Sequence, residues 1–269
     1  MKNFSNKLTV CAWFAVVAMS TSMTSLAHDL VLIPEPTGDL TVRFGHPGDW
    51  QTASTDRLLN FQMDGKPAAD SKGPSRLRQQ GKNLVVAKMA PRADRTTQPH
   101  LMSATYDNGL WVTVPDATGK PVYLNTSKAM LPGATSSMAA LKFAKGLYSA
   151  PSDTTVFKAE VNHLIELIPQ SNPAAVKPGQ SLSVLVKFNG TALPNAGVEL
   201  TDSSTKTTKG QAKFTTDAQG LATVPISRAG LNVISVDHEQ PNGGALSAAI
   251  AALPVDKIAV IATYAFQVR

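Results

Sequence analysis

Five histidines and one cysteine hold most of the metal or nucleophile chemistry open to this 269-residue chain. The cysteine, Cys11, lies in an apolar run, Leu8–Met19, that follows the basic Lys2 and Lys7 and precedes small residues at Ser25 and Ala27. That layout predicts a cleavable export signal over residues 1–27, cut between Ala27 and His28. Cleavage there makes His28 the first residue. Its α-amine, with an unperturbed pKa of about 7.7–8.0, and its ring Nδ1 then stand one short chelate ring apart, and a metal can displace the amine's proton near neutral pH. Two further histidines sit where strands are expected to end in turns. His46 opens the turn His46-Pro47-Gly48-Asp49-Trp50, and His238 follows the expected strand Leu231–Asp237 and leads into a loop over Glu239–Gly244. His28, His46 and His238 are the candidate metal ligands. A nitrogen donor set of this kind suits Ni²⁺, Co²⁺, Cu²⁺ or Zn²⁺. His100 and His163 read as structural, the latter as a cap on the apolar run Leu164–Ile168.

Other chemistries lack their signatures. There is no serine nucleophile elbow, phosphate loop, dinucleotide fingerprint or H-E-x-x-H. Cys11 leaves with the signal, so the mature chain offers no thiolate and no disulfide. Asp237 and Glu239 beside His238 read as a solvated strand end, not a catalytic pair, and the chain is not expected to be an enzyme. Removing Lys2 and Lys7 takes the net charge from +6 to +4, spread without an arginine-rich arm or an aromatic-interleaved basic patch, so nucleic acid is not an expected partner. The apolar tract Ala245–Val268 is broken by Pro254, Asp256 and Lys257, which leaves no membrane-spanning helix after signal removal. A soluble periplasmic protein is expected.

The elements that must position the histidines read as strands. Removing 27 of 269 residues leaves 242, enough for two modest β domains. Leu30–Ile33 is a buried strand ended by Pro34-Glu35-Pro36, and Asp39–Gly45 alternates Leu40, Val42 and Phe44 against Thr41 and Arg43. The turn region after Pro34 can fold this second strand back, returning His46 toward His28. Asp64-Gly65 is a hairpin signal after Leu58–Met63. Strands are expected at Asn83–Met89, His100–Thr105, Leu110–Val114 and Pro121–Asn125, with Tyr106–Gly109 a tight turn. Ser136–Tyr148 has helical spacing and is expected to be one short helix in the N-terminal domain. Strands over Asp153–Glu160 and Leu164–Ile168 lead to a joint at Pro169–Pro173. Beyond it, strands at Ser181–Phe188, Gly197–Asp202, Gln211–Thr215, Leu221–Ile226, Leu231–Asp237 and Ile258–Val268 have the spacing of an immunoglobulin-like sandwich. The expected fold is all-β: two sandwich-like domains, residues 28–168 and 169–269, the second immunoglobulin-like.

Several short motifs recur in an order that resembles a known family. They are Ala27-His28-Asp29-Leu30-Val31-Leu32-Ile33-Pro34, Val42–Gly48, Tyr106–Val112 with Asn125–Lys128, Leu164–Pro169 with Asn172-Pro173, Thr216–Gly220 and Ala262–Val268. Together they look like the periplasmic nickel/cobalt-uptake accessory family, long catalogued only as a domain of unknown function. The resemblance implies an exported two-part β protein linked to Ni²⁺ or Co²⁺ uptake, with a membrane metal-uptake transporter as partner. Val31 stands where an aromatic is common in that family and Leu110 where a proline is common, departures that touch packing and loop shape more than ligation. Two functions follow as expectations: capture of a divalent ion, Ni²⁺ or Co²⁺ with Cu²⁺ possible, or a structural module that binds another envelope protein. A copper oxygenase acting on polysaccharide fits poorly, since only Trp50 and Trp111 survive cleavage to build a flat binding face.

Overall fold

The alternation of Leu40, Val42 and Phe44 with polar neighbours is realised as a strand. In the computed structural model, β1 (Asp29–Pro34) and β2 (Leu40–His46) pair antiparallel, with Leu30 opposite Phe44 and Leu32 opposite Val42. The structure describes residues 28–34, 40–46, 49–67, 69–70, 73–74, 77–81, 83–86, 100–148, 155–202, 204–206, 212–243 and 246–269. The expected export signal lies outside them. β3 (Asp49–Gln51) folds back on β2, placing Trp50 opposite Gly45. Only glycine permits this, because φ is +125° at Gly45 and a Cβ there would lie 2.4 Å from the Asp49 carbonyl oxygen. β4 (Leu58–Met63) and β5 (Lys66–Pro67) form the hairpin expected at Asp64-Gly65, both turn residues having positive φ. A minimal ladder follows, β6 (Ala69–Asp70) with β7 (Gly73–Pro74). β8 (Leu77–Gln80) and β9 (Asn83–Val86) then extend the first sheet in the order β1-β2-β9-β8, with β3 beside β2.

Two expectations fail in the next stretch. β10 (His100–Pro115) runs straight through Tyr106–Gly109, where a turn was expected. The Asp-Asn-Gly signal makes a β-bulge between Asp107 and Gly109 instead, with φ +83° at the glycine. β11 (Pro121–Leu124) pairs with the end of β10. The helix expected over Ser136–Tyr148 is β12, a strand of 13 residues. Its i, i+3 and i+4 apolar residues arise because both faces of the strand are covered, which removes the polar alternation that marks a half-exposed strand. Met138, Ala140 and Ala144 face one way, and Ala139, Phe143 and Leu147 the other.

The second half is an immunoglobulin-like sandwich. One sheet contains β13 (Ile165–Pro169), β14 (Gln180–Phe188), β15 (Thr191–Ala192) and β18 (Leu221–Ile226). The facing sheet contains β16 (Gly197–Asp202), β17 (Ala212–Thr215), β19 (Gly230–Pro241) and β20 (Lys257–Val268). The single described α-helix, α1 (Ala248–Ala251), belongs to this half, while the strand expected at Asp153–Glu160 is a 3₁₀ turn at Val156–Lys158 where it is described. β20 pairs parallel with β12, so the facing sheet continues across the expected domain boundary as one sheet in the order β17-β16-β19-β20-β12-β10-β4-β5. The result is three layers that share the middle one.

Each outer layer is pinned to β12 by an interaction with a buried lysine. On one face Lys145 forms an ion pair with Glu166 of β13 and donates to the carbonyls of Ala159 (2.9 Å) and Leu167 (3.3 Å). Around it Phe143, Leu147, Tyr264, Phe266 and the inward residues of β14 and β18 form the main core. On the other face Lys142 interacts electrostatically with Asp29 of β1 and Asp237 of β19. There β1 lies across β12 and β20 with both its sides covered. Leu30 and Leu32 join Met102, Ala104 and Ala144, while Val31 and Ile33 meet Val233 and Ala265. The Thr263 hydroxyl donates to the Leu30 carbonyl.

The crossing of β1 over β12 needs a missing side chain. A Cβ on Gly146 would lie 2.5 Å from the Leu32 carbonyl oxygen, whereas one on Gly133 would meet nothing within 4 Å. Gly146→Ala should therefore lower stability by about 1–3 kcal/mol, the usual cost of overpacking, and Gly133→Ala should leave it nearly unchanged. Urea midpoints of the two variants check this; equal midpoints would refute the close crossing.

Candidate metal centre

Antiparallel register brings the first two histidines together. Asp29 pairs with Gly45, so one step further along the same ladder His28 stands beside His46. Their ring centroids are 5.5 Å apart at an interplanar angle of 69°. Both rings sit at the end of the layer made by β1 and β2, with the edge of Phe44 against His28 at 5.4 Å and Phe44 in turn on Tyr106 at 5.0 Å. His28 and His46 are both buried.

The β2–β3 reversal adds a carboxylate. Asp49 Oδ2 is 3.3 Å from His28 Nε2. Accepting that hydrogen fixes the proton on Nε2 and leaves the Nδ1 lone pair unprotonated. Nδ1 is buried and has no hydrogen-bond partner among the described residues. Burial is the main cause that lowers the His28 pKa, the Lys142 charge adds to it, and Asp49, with a weaker contribution from the Gln51 side chain, opposes both. The neutral ring, the form that binds a metal, is thus favoured. Asp49 is half exposed, while both rings are buried. On the inner side His46 Nδ1 lies 3.6 Å from Asp29 Oδ2, longer than a hydrogen bond. Burial raises the Asp29 pKa against the pull of Lys142, while burial lowers that of Lys142 against the pull of Asp29 and Asp237.

Among the described residues no group of three His, Cys, Asp or Glu side chains forms a metal set. What the chain presents is two imidazoles, with Asp49 holding one of them by its outer nitrogen. An amine released at His28 would add the donor next to the orphaned Nδ1. Asp49 and Asp29 were not among the expected site residues. Their signal was adjacency, since one directly follows His28 and the other closes the turn that begins at His46.

The remaining histidines lie elsewhere, and His238 departs from expectation. β19 does not end at Asp237 but continues to Pro241, because Lys257–Val260 at the start of β20 pairs with it. His238 is therefore within a strand, on the side of Ile234 and Val236 that faces the outer sandwich sheet, where its ring packs on Phe188 at 4.7 Å. Asp237, one residue earlier, faces the β1 side. His238 and the His28–His46 pair are thus on opposite faces of the central sheet. His100 Nδ1 is 2.7 Å from Asp64 Oδ2, and Asp64 Oδ1 accepts from the Leu101 amide at 2.8 Å, so this histidine braces the β4–β5 turn. His163 follows Asn162, which has positive φ, and packs on Phe143 at 5.0 Å.

Similarity to other proteins extends over most of the chain but is distant in structure. The family described as "Domain of unknown function (DUF4198)" matches residues 25–240. No curated protein matches. A structure titled "Crystal structure of tetra-tandem repeat in extending region of large adhesion protein" aligns at 12% identity and a TM-score of 0.24, covering 90% of this chain, which spans 49% of that one. The "D0-D1 domain of Intimin" aligns at 12% identity and a TM-score of 0.21, covering 89% of this chain and 97% of the other. Such distant structural likeness transfers no property. No helix among the described residues is long and apolar enough to cross a membrane.

His163 supplies a test of the surroundings by titration. Burial, reinforced by the Lys145 charge, pushes its pKa down to about 3 from 6.5. The folded state thus prefers the neutral ring, and its contribution to stability is full above pH 6.5 and is lost as pH falls toward 3. Between those limits the group contributes a slope of up to about 1.4 kcal/mol per pH unit. His163→Gln should flatten that part of the acid profile by a similar amount, read from urea midpoints at pH 7.5, 5.5 and 4.5. An unchanged slope would contradict the burial.

Proposed function

Because the chain belongs to the family described as Domain of unknown function (DUF4198), its chemistry rests on its own side chains, and we propose that it captures a divalent transition metal, Ni²⁺ or Co²⁺ foremost, at His28 and His46. The observation that carries this is the orphaned, buried His28 Nδ1 beside the His46 ring, with Asp49 on the opposite nitrogen. Export and cleavage before His28 supply the third donor, the α-amine, so the site matures only in the periplasm. Three nitrogen donors suit these borderline ions, and an open side toward Asp49 suits a cargo that must be released. The chain is then a carrier that supports a membrane uptake transporter, not an enzyme, as its resemblance to nickel/cobalt-uptake accessory proteins implies. Asp49 acts by orienting the ring and raising its basicity.

Calorimetric titration of Ni²⁺, Co²⁺ and Cu²⁺ into protein beginning at His28 tests the reading. One ion should bind per chain, more weakly as pH falls through the imidazole range because protons compete for the same lone pairs. Retaining Ala27, which converts the amine to an amide, and His46→Ala should each remove most of the affinity. Asp49→Asn should cost about 10–100-fold, and His100→Ala and His238→Ala nothing. Equal affinity for His46→Ala and the parent would overturn the site. No binding by the parent would favour a structural module of the cell envelope.

A further inference from the structure

A second site lies on the other side of β1. The first sheet rises from the central sheet along β1, and the wedge between its outer side and the β16–β19 half of the central sheet is a half-open cleft of about 180 Å³. Val31 and Ile33 line it from β1, and Leu231 and Val233 from β19. The remaining wall is built by the β2–β3 reversal. Arg43 and Gly45 share one side of β2, and Trp50 pairs with the glycine, its half-buried indole resting against the Val31, Ile33 and Val233 cluster. The Arg43 guanidinium carbon lies over that ring, 5.4 Å from its centroid.

The charges in the cleft are unequal in what they have left to bind. Asp202 is engaged by the Ser204 amide and hydroxyl, the Thr205 and Ser227 hydroxyls and Arg228. Asp29 is turned to Lys142 and His46. No ion pair or side-chain hydrogen bond to Arg43 is found among the described residues, and its guanidinium lies on the Trp50 face. A guanidinium stacked on an aromatic ring retains its planar fork of N–H donors, which matches a carboxylate in two-point geometry. An apolar floor, an indole wall and one unspent cation together specify an amphiphilic anion.

We infer that this cleft binds an organic carboxylate with a flat apolar body, the carboxylate on Arg43 and the body along the open side of Trp50 and Leu231. The inference stands apart from the metal reading, since none of the donor atoms of His28 or His46 takes part. Naphthalene-2-carboxylate is a probe of suitable shape, and its uncharged amide differs only in the group that faces Arg43. Both are titrated in EDTA, so that metal plays no role, into the exported chain and into Arg43→Gln, Trp50→Leu and the remote surface variant Lys177→Gln. The carboxylate should bind the parent and Lys177→Gln alike and quench indole fluorescence, with the amide and the Arg43→Gln variant each weaker by about tenfold or more. Trp50→Leu should lose both affinity and quenching. Failure of the parent to bind, equal binding of acid and amide, or undiminished binding by Arg43→Gln would overturn the site. Because EDTA removes the ions, none of these failures would count against the metal centre.

Discussion

β12 is the member on which the other layers depend, because it is buried on both faces and still carries two lysines. Lys142 and Lys145 are respectively 2% and 1% exposed. Desolvating an ammonium costs several kcal/mol unless it is partnered, and removing one partner of such a pair leaves the other charge stranded at a cost of about 3–5 kcal/mol. The odd and even positions of one strand point to opposite faces, so the lysines at 142 and 145 reach different layers. Lys145 holds the sandwich sheet at Glu166, and Lys142 faces the first strand at Asp29. Apolar residues at these positions would bury as much surface but would tolerate sliding. Charges that must find acids fix where β1 and β13 lie along the strand.

That constraint reaches the histidines. Asp29 is oriented toward Lys142 from inside, so its neighbour His28 is held at the end of β1, and register with β2 then sets His46 beside it. The His28–His46 pair is thus a consequence of strand placement more than of loop geometry. The cleft is a consequence of the same strand, since the side chains of Val31 and Ile33 floor it while Leu30 and Leu32 fill the core behind.

The half-exposed strands were legible from residue order alone. The alternation at Leu40–Phe44 and the Asp-Gly turn at 64 and 65 gave elements that the structure reproduces within a residue or two, as did the expected strands Ser181–Phe188, Gly197–Asp202 and Leu221–Ile226. Legibility failed where burial is two-sided. Ser136–Tyr148 mimics a helix because alanine, leucine and lysine recur on both faces of a central strand, and no local pattern reports which neighbours cover them. The pairing of His28 with His46 followed from two adjacent strands joined by a proline-rich reversal. The placing of His238 did not, because it turns on how far β20 extends beside β19, a contact between segments whose pairing no local pattern encodes. Asp49 and Arg43 were visible as residues, but their roles emerge only when β3 folds back across Gly45.

The hydrogen bond between Thr263 and Leu30 joins positions 233 residues apart. Loop closure over such a span is entropically costly and must precede any reward from the contact. The contact between β1 and β20 is therefore completed late. Until β20 has emerged, β1 can rest on β2, β10 and β12, but its Val31 and Ile33 side lacks Ala265 and stays open to solvent, a template for unwanted association. A chain cut short before Thr263 would lack this bond and the Ala265 contact, and so could not fully cover β1.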